Sequence, residues 1–237
     1  METAMKTITF SGYEWVVRKG KGDPGSNTWD DANAQIDDKD RLHLQLTKNK
    51  TATGEIEWHC VELNTQQRFG LGRYQFQVIG RIDKLDRNVV LGLFKYPTAD
   101  VLKDGPNEID IEFARWGDQT TKNNADYVVL PAVGKRAPND RIFFEVALNG
   151  DYTTHRFLWE CHQVTFLSLH GHRDDDVGEF EHWKYTPGQP RLIPQQPTPV
   201  HINLWLYQGK APCDDTPVEI IINKFSFTPL QELEQFD

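Results

Sequence analysis

The chain has 237 residues, of which 38% are hydrophobic and 11% aromatic, so it can bury the core of one sizeable domain and is not a disordered polypeptide. Its formal net charge of −9 argues against nucleic acid and anionic membranes as partners, because both attract basic patches. No apolar run approaches membrane-spanning length. We therefore expect a single domain over residues 1–237, monomeric, that binds neither nucleic acid nor membrane.

The N-terminus and the cysteines bear on the compartment. The first six residues lack the apolar segment of a signal peptide; the sequence as given leaves the compartment open, secreted or periplasmic if a leader was removed and cytoplasmic otherwise. Cys60, Cys161 and Cys213 are odd in number, widely scattered and without metal-type spacing. At most one disulfide can form, and we expect buried free thiols.

Short runs of β-branched and aromatic residues recur along the chain, separated by clusters of Gly, Pro, Asn and Asp. With no long segment of helical period, this rhythm predicts an all-β antiparallel sandwich. The expected strands are Tyr13–Val17, Leu42–Thr47, Tyr74–Val78, Val89–Tyr96, Ala125–Leu130, Ile142–Ala147, His155–Trp159, Val164–His170, His201–Tyr207 and Val218–Phe227. Five prolines between Pro187 and Pro199 exclude a central strand there and predict a long surface connection.

Two early strands carry polar or aromatic faces. From Cys60 onward, alternation places Glu62 and Asn64 on one side of a strand, where planar polar groups suit the hydroxyls of a sugar. An ordinary exposed strand face explains them equally well. Tyr96 shares a face with Phe94 in the next strand, and it would either stack on a sugar ring or cap the edge of the core.

The segment Asn107–Phe113 is the most informative stretch. As an extended strand it puts Glu108, Asp110 and Glu112 on one face and three apolar side chains on the other. Like charges in such a row repel one another, and from the triplet alone a solvated sheet face is the simpler interpretation. Retaining glycoside hydrolysis would explain why three acidic side chains share a strand face, because this reaction needs a carboxylate nucleophile and a protonated carboxyl about 5–5.5 Å apart. Crowding by like charges would raise the pKa of one member, as an acid working near neutral pH requires.

A second strand separates two kinds of face in the same way. Between His201 and Tyr207, alternation puts His201, Asn203, Trp205 and Tyr207 on one side and aliphatic residues on the other. This pattern fits the cleft-facing sheet of a sandwich, although Trp205 in a core is the alternative.

These segments resemble glycoside hydrolase family 16, the group that contains lichenases and laminarinases. The string Glu108-Ile-Asp-Ile-Glu-Phe113 is similar to its active-site signature, Phe69–Tyr74 to its strand entry, and Asn203-Leu-Trp205 to a sugar-contacting strand. The resemblance implies a concanavalin A-like jelly roll of two curved antiparallel sheets with a concave cleft. It also implies endo-acting, retaining cleavage of β-glucan at β-1,3 or mixed β-1,3-1,4 linkages.

The resemblance further implies roles for single residues. Glu108 would be the nucleophile, Glu112 the acid/base, and Asp110 the residue that positions and tunes them. The implied sugar contacts are Asn27, Glu62, Asn64, Tyr96, Trp116, Asn203 and Trp205. No cofactor is required; family members hold a structural Ca²⁺ through an Asp at about the place of Asn223, whose amide oxygen is a weaker ligand.

Three alternatives stay open. A lectin-like sandwich would use Trp205 and Tyr96 without chemistry, and a structural adhesin would carry the acidic face incidentally. Within the enzyme class, the chain has Asn64 where lichenases carry Arg and Pro106 where they carry Trp. Transglycosylation or a galactan substrate therefore remains an alternative to hydrolysis of β-glucan.

Overall fold

The computed structural model describes residues 5–233. Two sheets pack face to face, which confirms the predicted β-sandwich. The sheet that carries the acidic strand, called the cleft sheet below, has eight strands in spatial order: β1 (Thr7–Phe10), β2 (Tyr13–Val17), β7 (Ile56–Thr65), β16 (Val200–Leu206), β9 (Val89–Lys95), β10 (Ile109–Phe113), β11 (Ala125–Val129) and β12 (Arg141–Phe144).

The second sheet, called the outer sheet, covers the apolar face of the first. Its strands in spatial order are β5 (Ala34–Ile36), β6 (Leu42–Lys50), β17 (Val218–Pro229), β8 (Gly72–Ile79), β13 (Tyr152–Trp159), β14 (Val164–His170) and β15 (Glu179–Tyr185). Two short strands, β3 (Gly20–Gly22) and β4 (Asn27–Trp29), pair with each other, and β6 also pairs with β7. All pairings within the two sheets are antiparallel, as expected, and the short β4 runs parallel to β7.

Strand β10 shows how the sequence directs the packing. Ile109, Ile111 and Phe113 are fully buried between the sheets, as the alternation predicts, and burial of each such side chain contributes about 1.5–3 kcal/mol. Because side chains alternate along a strand, burial of these three residues directs the acidic residues between them away from the core.

The remaining elements are short. Two one-turn helices, α1 (Ala99–Leu102) and α2 (Leu230–Leu233), accompany 3₁₀ turns at 31–33, 82–84, 190–192 and 207–209. The proline-rich connection contains the turn at 190–192 and is tied to the body by backbone hydrogen bonds between Phe69 and Thr198. Within the described residues, no helix is long and apolar enough to span a membrane.

Two local expectations are wrong. The predicted strand Ile142–Ala147 is shorter, because β12 ends at Phe144. The three cysteines are free, but only Cys60 is buried, whereas Cys161 is half-buried and Cys213 exposed. Burial raises the pKa of the Cys60 thiol to about 12, so that thiol stays protonated.

Candidate active site

One transverse row of paired residues crosses the cleft sheet from β7 to β12. Residues directly opposite each other on antiparallel strands share a face. From one side to the other the row runs Glu62, Asn203, Gly92, Glu112, Asp126 and Phe143. The strand pairing therefore gathers onto one surface six residues that lie far apart in the sequence.

The two ends of β10 are fixed by residues with left-handed backbone conformations. Asn107 has φ of 48° and donates its side-chain amide to the carbonyl groups of Gly105 and Ala132. Trp116 has φ of 53° and is followed by Gly117 at 78°. Asn adopts this region readily, but a bulky aromatic residue rarely does. The turn after β10 thus holds the Trp116 indole back over the cleft sheet.

Glu108 and Asp110 lie two residues apart, so their side chains project from the same face of the extended segment. Burial raises the pKa of Glu108 to about 7, although Asp110 and the charge of Arg136 oppose this shift. Burial and the neighbouring charges of Glu108 and Glu112 raise the pKa of Asp110 well above its usual value. Both carboxyl groups therefore release their protons at a higher pH than exposed carboxyl groups do.

Glu112 lies on the other side of Asp110, with 20% of its side chain exposed. Burial and the negative charge of Asp126 raise its pKa well above the usual value, although the Arg141 guanidinium opposes them. Glu112 therefore keeps its proton to a higher pH than an exposed glutamate does, as an acid that works near neutral pH requires.

The acids lie in a cleft of about 550 Å³. Aromatic rings and polar groups line it together: Arg18, Asp23, Pro24, Glu62, Phe94, Tyr96, Glu108, Asp110, Glu112, Trp116, Asn203 and Trp205. Asn203 Oδ1 and Trp205 Nε1 are buried there and have no hydrogen-bond partner among residues 5–233. An acceptor and a donor left unpaired beside aromatic rings are suited to the hydroxyl groups and apolar face of a sugar.

Glu62 is held by two basic residues at one end of this cleft. His201 Nδ1 lies 3.1 Å from Glu62 Oε1, and Arg18 Nη1 lies 2.7 Å from Glu62 Oε2. Burial alone would raise the pKa of Glu62, but these two partners hold it below the usual value. The Arg18 guanidinium also lies 4.4 Å from the centre of the Trp29 ring. Glu62 is thus a fixed anion and hydrogen-bond acceptor.

Solved structures with the same architecture include β-glucanases. A β-1,3-1,4-glucanase (lichenase) from a mouse hindgut metagenome is 22% identical over 91% of this chain and 93% of its own, with a TM-score of 0.67. The β-glucanase of Bacillus licheniformis is 21% identical over 96% and 99% of the two chains, with a TM-score of 0.68. An immunostimulatory antigen and pseudo β-1,3-glucanase of Mycobacterium tuberculosis is 15% identical over 90% and 91%, with a TM-score of 0.62.

The chain has the fold of these proteins. That agreement confirms the expected jelly-roll sandwich. No protein-family model matches the chain, and no curated protein matches it by sequence.

Two residues expected at the site are not among those that line the cleft. Asn27 is 4% exposed, and its side chain bonds to the carbonyl groups of Pro24 and Leu206 and to the Cys60 thiol. Asn64 lies on β7 beside the cleft and donates to the backbone of Thr65. Both side chains stabilise loops or strand ends at the margin of the cleft.

Asn223 does not fit a calcium site. It is the extra residue of a bulge in β17 and donates its amide to Gln77. Calcium needs six to eight oxygen ligands, usually with several carboxylates, and residues 5–233 contain no cluster of three His, Cys, Asp or Glu suited to a metal.

Sequence reasoning missed three charged residues of the site. Arg18 follows β2 and reaches Glu62 from a distant part of the chain, and no local pattern marks it. Asp126 and Arg141 lie on β11 and β12, and only the strand register brings them to Glu112. The one available signal was Asp126 itself, a charged residue inside the otherwise apolar run Ala125–Leu130.

Proposed function

We propose that this protein is a retaining, endo-acting glycoside hydrolase of family 16 that cleaves β-glucan at β-1,3 or mixed β-1,3-1,4 linkages. The observation that carries the proposal is the placement of Glu108, Asp110 and Glu112 on one face of the β10 segment, where all three line one cleft. Burial raises the pKa of each carboxyl group above its usual value. A double displacement needs a carboxylate nucleophile and a protonated carboxyl group close together.

In the proposed reaction the Glu108 carboxylate attacks the anomeric carbon. The glycosidic C–O bond breaks as Glu112 gives its proton to the departing oxygen, and a glycosyl ester forms on Glu108. Glu112, now a carboxylate, takes a proton from water as that water attacks the anomeric carbon and releases Glu108. Asp110 donates a hydrogen bond to Glu108 and so orients it. The carboxyl groups supply both nucleophile and proton, so no cofactor is required.

The cleft also suits an uncharged polymer. Tyr96, Trp116 and Trp205 offer ring faces, while Asn203 and Glu62 offer hydrogen-bonding groups at fixed positions. Sugar rings bind to such mixed surfaces through stacking and hydroxyl contacts. Because the site is a cleft on the face of a sheet, internal segments of a polysaccharide chain can enter it, which favours endo cleavage. We propose that the protein acts as a monomer.

A lectin-like function is the second candidate. The specific reason is that a protein described as a pseudo β-1,3-glucanase has the same fold, so the fold alone does not imply turnover. A binding protein has no need of three adjacent carboxyl groups with raised pKa values, which favours the hydrolase.

The deciding experiment measures reducing ends released from barley glucan, lichenan, laminarin and agarose by the wild-type protein and by Glu108→Gln. We expect cleavage of at least one β-glucan, with mid-chain products and retained anomeric configuration by NMR. Glu108→Gln should keep the fold and bind glucan but lose turnover. Binding without cleavage by the wild type identifies a lectin, cleavage of agarose alone identifies a galactanase, and wild-type turnover by Glu108→Gln contradicts the assignment.

A further inference from the structure

Asp126 is a fully buried carboxylate directly beside Glu112 on the neighbouring strand. The two residues are opposite each other in the pairing of β10 and β11, so their side chains are neighbours on the same face of the sheet. Asp126 is 0% exposed, so it cannot contact a polymer in the cleft. Its effect on any reaction must pass through Glu112.

One hydrogen-bond donor and one cation lie on the other sides of Asp126. Trp116 Nε1 donates to Asp126 Oδ1 at 3.0 Å, and Arg141 Nη2 lies 2.8 Å from Asp126 Oδ2. The same nitrogen of Arg141 is 3.9 Å from Glu112 Oε2. Asp126 therefore has two close cationic or N–H partners, whereas Glu112 has one weak contact of this kind.

Arg141 is itself held between two aromatic rings. Its guanidinium lies 5.0 Å from the centre of the Trp116 ring and 4.4 Å from that of Phe143. Cation–π contacts of this kind restrict the guanidinium without neutralising it. Trp116, Arg141 and Phe143 thus form a rigid support that fixes the position of the Asp126 carboxylate.

A shared proton between two carboxyl groups stays on the one with fewer donors. Asp126 is stabilised as an anion by an indole N–H and a guanidinium, so the proton of the pair belongs on Glu112. Burial raises the pKa of Asp126 to about 6, against the opposing charge of Arg141, while the pKa of Glu112 lies well above its usual value.

The other groups around Glu112 do not reverse this order. On its own strand it neighbours Asp110 and, further along, Glu108, which both disfavour a second anion. On the other side its partner in β9 is Gly92, followed by the uncharged Asn203 of β16. Arg141 is the cation facing it.

We propose that Asp126, held by Trp116 and Arg141, is the positioning residue that keeps the proton on Glu112 and aims it into the cleft. The inference rests on the proposed hydrolase function and adds to it a carboxylate that does not touch the substrate. In the first step Glu112 releases its proton to the leaving oxygen. It then stands as an anion beside the anion of Asp126, which makes it a stronger base toward the incoming water.

The test is the pH profile of kcat/KM for wild type and Asp126→Asn on the glucan that the wild type cleaves. Asn keeps the shape but removes the charge, so Glu112 should lose its proton at lower pH. We expect the alkaline limb to move down by about one pH unit, with kcat on glucan reduced more than tenfold. The glycosylation rate with a 2,4-dinitrophenyl β-glycoside, whose leaving group needs no proton, should change less than threefold.

The matched control is Asp83→Asn. Asp83 is also buried and paired with an arginine, Arg81, but it lies outside the cleft. This variant should lose stability and keep the wild-type alkaline limb. A folded Asp126→Asn protein with an unchanged alkaline limb overturns the proposal.

A second measurement does not depend on the folding of Asp126→Asn or on turnover. Glutamate carboxyl carbons labelled with ¹³C are titrated in the wild type, and the Glu112 resonance is assigned by its absence in Glu112→Gln. We expect Glu112 to stay protonated at pH 7. Ionisation of Glu112 below pH 6 overturns the proposal, whereas a wild type that cleaves no glycan but shows a protonated Glu112 contradicts only the proposed function.

Discussion

Asn203 Oδ1 lies over the backbone of Gly92, at 2.5 Å from the position that a Cβ at residue 92 would occupy. Gly92 is also the direct partner of Glu112 in β10. The missing side chain therefore leaves room for the Asn203 amide next to the proposed acid. This contact explains why a glycine stands in the middle of a central strand, where it is otherwise unfavourable.

The first prediction concerns Gly92→Ala. The added methyl group would displace the Asn203 side chain and remove one sugar contact, so kcat/KM on glucan should fall about tenfold, the equivalent of one hydrogen bond of about 1–1.5 kcal/mol. The measurement compares Gly92→Ala with Gly150→Ala, because nothing lies within 4 Å of a Cβ at residue 150. Equal activity of both variants would show that the Asn203 position is unimportant.

The second prediction concerns the pH dependence of activity. The nucleophile must be ionised, so kcat/KM should fall about tenfold per unit as the pH drops below the Glu108 pKa of about 7. The acid must be protonated, so kcat/KM should fall again above the higher pKa of Glu112. Initial rates from pH 5 to pH 10 should give a bell with its acid limb near pH 7. Full activity at pH 5 would contradict these protonation states.

The third prediction is that Asp110→Asn stabilises the fold while impairing activity. An unfolded Asp ionises near 3.9, whereas the pKa of Asp110 in the fold is raised well above this. The folded state thus binds an extra proton in between, and its stability decreases as the pH rises through that window. Asn does not ionise, so Asp110→Asn avoids this decrease in the free energy of unfolding. Its Tm at pH 8 should therefore rise by about 2–4 °C for each kcal/mol of unfolding free energy regained.

The control for the third prediction has the opposite sign. Burial would raise the pKa of Asp83, but Arg81 and further hydrogen bonds hold it below the usual value. Its contribution to stability is present at neutral pH and lost in acid, so Asp83→Asn should lower Tm at pH 8. Calorimetric scans at pH 4, 6 and 8 distinguish Asp110→Asn from Asp83→Asn. A lower Tm for Asp110→Asn than for the wild type at pH 8 would contradict the claim that ionisation of Asp110 destabilises the fold.

The fourth prediction compares two Trp→Phe substitutions. Within the described part of the chain Trp205 Nε1 has no hydrogen-bond partner, whereas Trp15 Nε1 donates to the carbonyl of Phe10 in the core. Trp205→Phe should lower kcat/KM about tenfold, as expected for one lost sugar contact, with little change in Tm. Trp15→Phe should lower Tm and spare kcat/KM. If Trp15→Phe lost activity while Trp205→Phe kept it, the substrate would not bind at Trp205 as proposed.

The strands that the sequence predicts well are those with a full period-2 pattern. β2 and β14 are predicted residue for residue, and β9 and β16 to within one residue at their ends. β15 was missed because it is a charged, largely exposed edge strand with a bulge against β14. The three- and four-residue strands β1, β3, β4 and β5 are too short to show periodicity.

The residues of the site also divide into those that a pattern within one strand predicts and those that it does not. Glu108, Asp110 and Glu112 follow from alternation within one strand, and Asn203 and Trp205 from alternation within another. Arg18, Asp126 and Arg141 depend on which strands become neighbours and in what register, and a single sequence does not encode this locally. The family resemblance implied that Asn27 contacts sugar, but in the fold its amide donates to the backbone carbonyl groups of Pro24 and Leu206.

The central claim is that Glu108 becomes covalently glycosylated, and trapping that intermediate tests it most directly. The protein is incubated with a 2-deoxy-2-fluoro β-glucan oligosaccharide carrying a dinitrophenyl leaving group, which slows release of the ester, and is then digested for peptide mass spectrometry. We predict one added glycosyl mass on the peptide that contains Glu108, and none in Glu108→Gln. An adduct on Glu112, or glucan cleavage with inverted configuration and no adduct, would contradict the account.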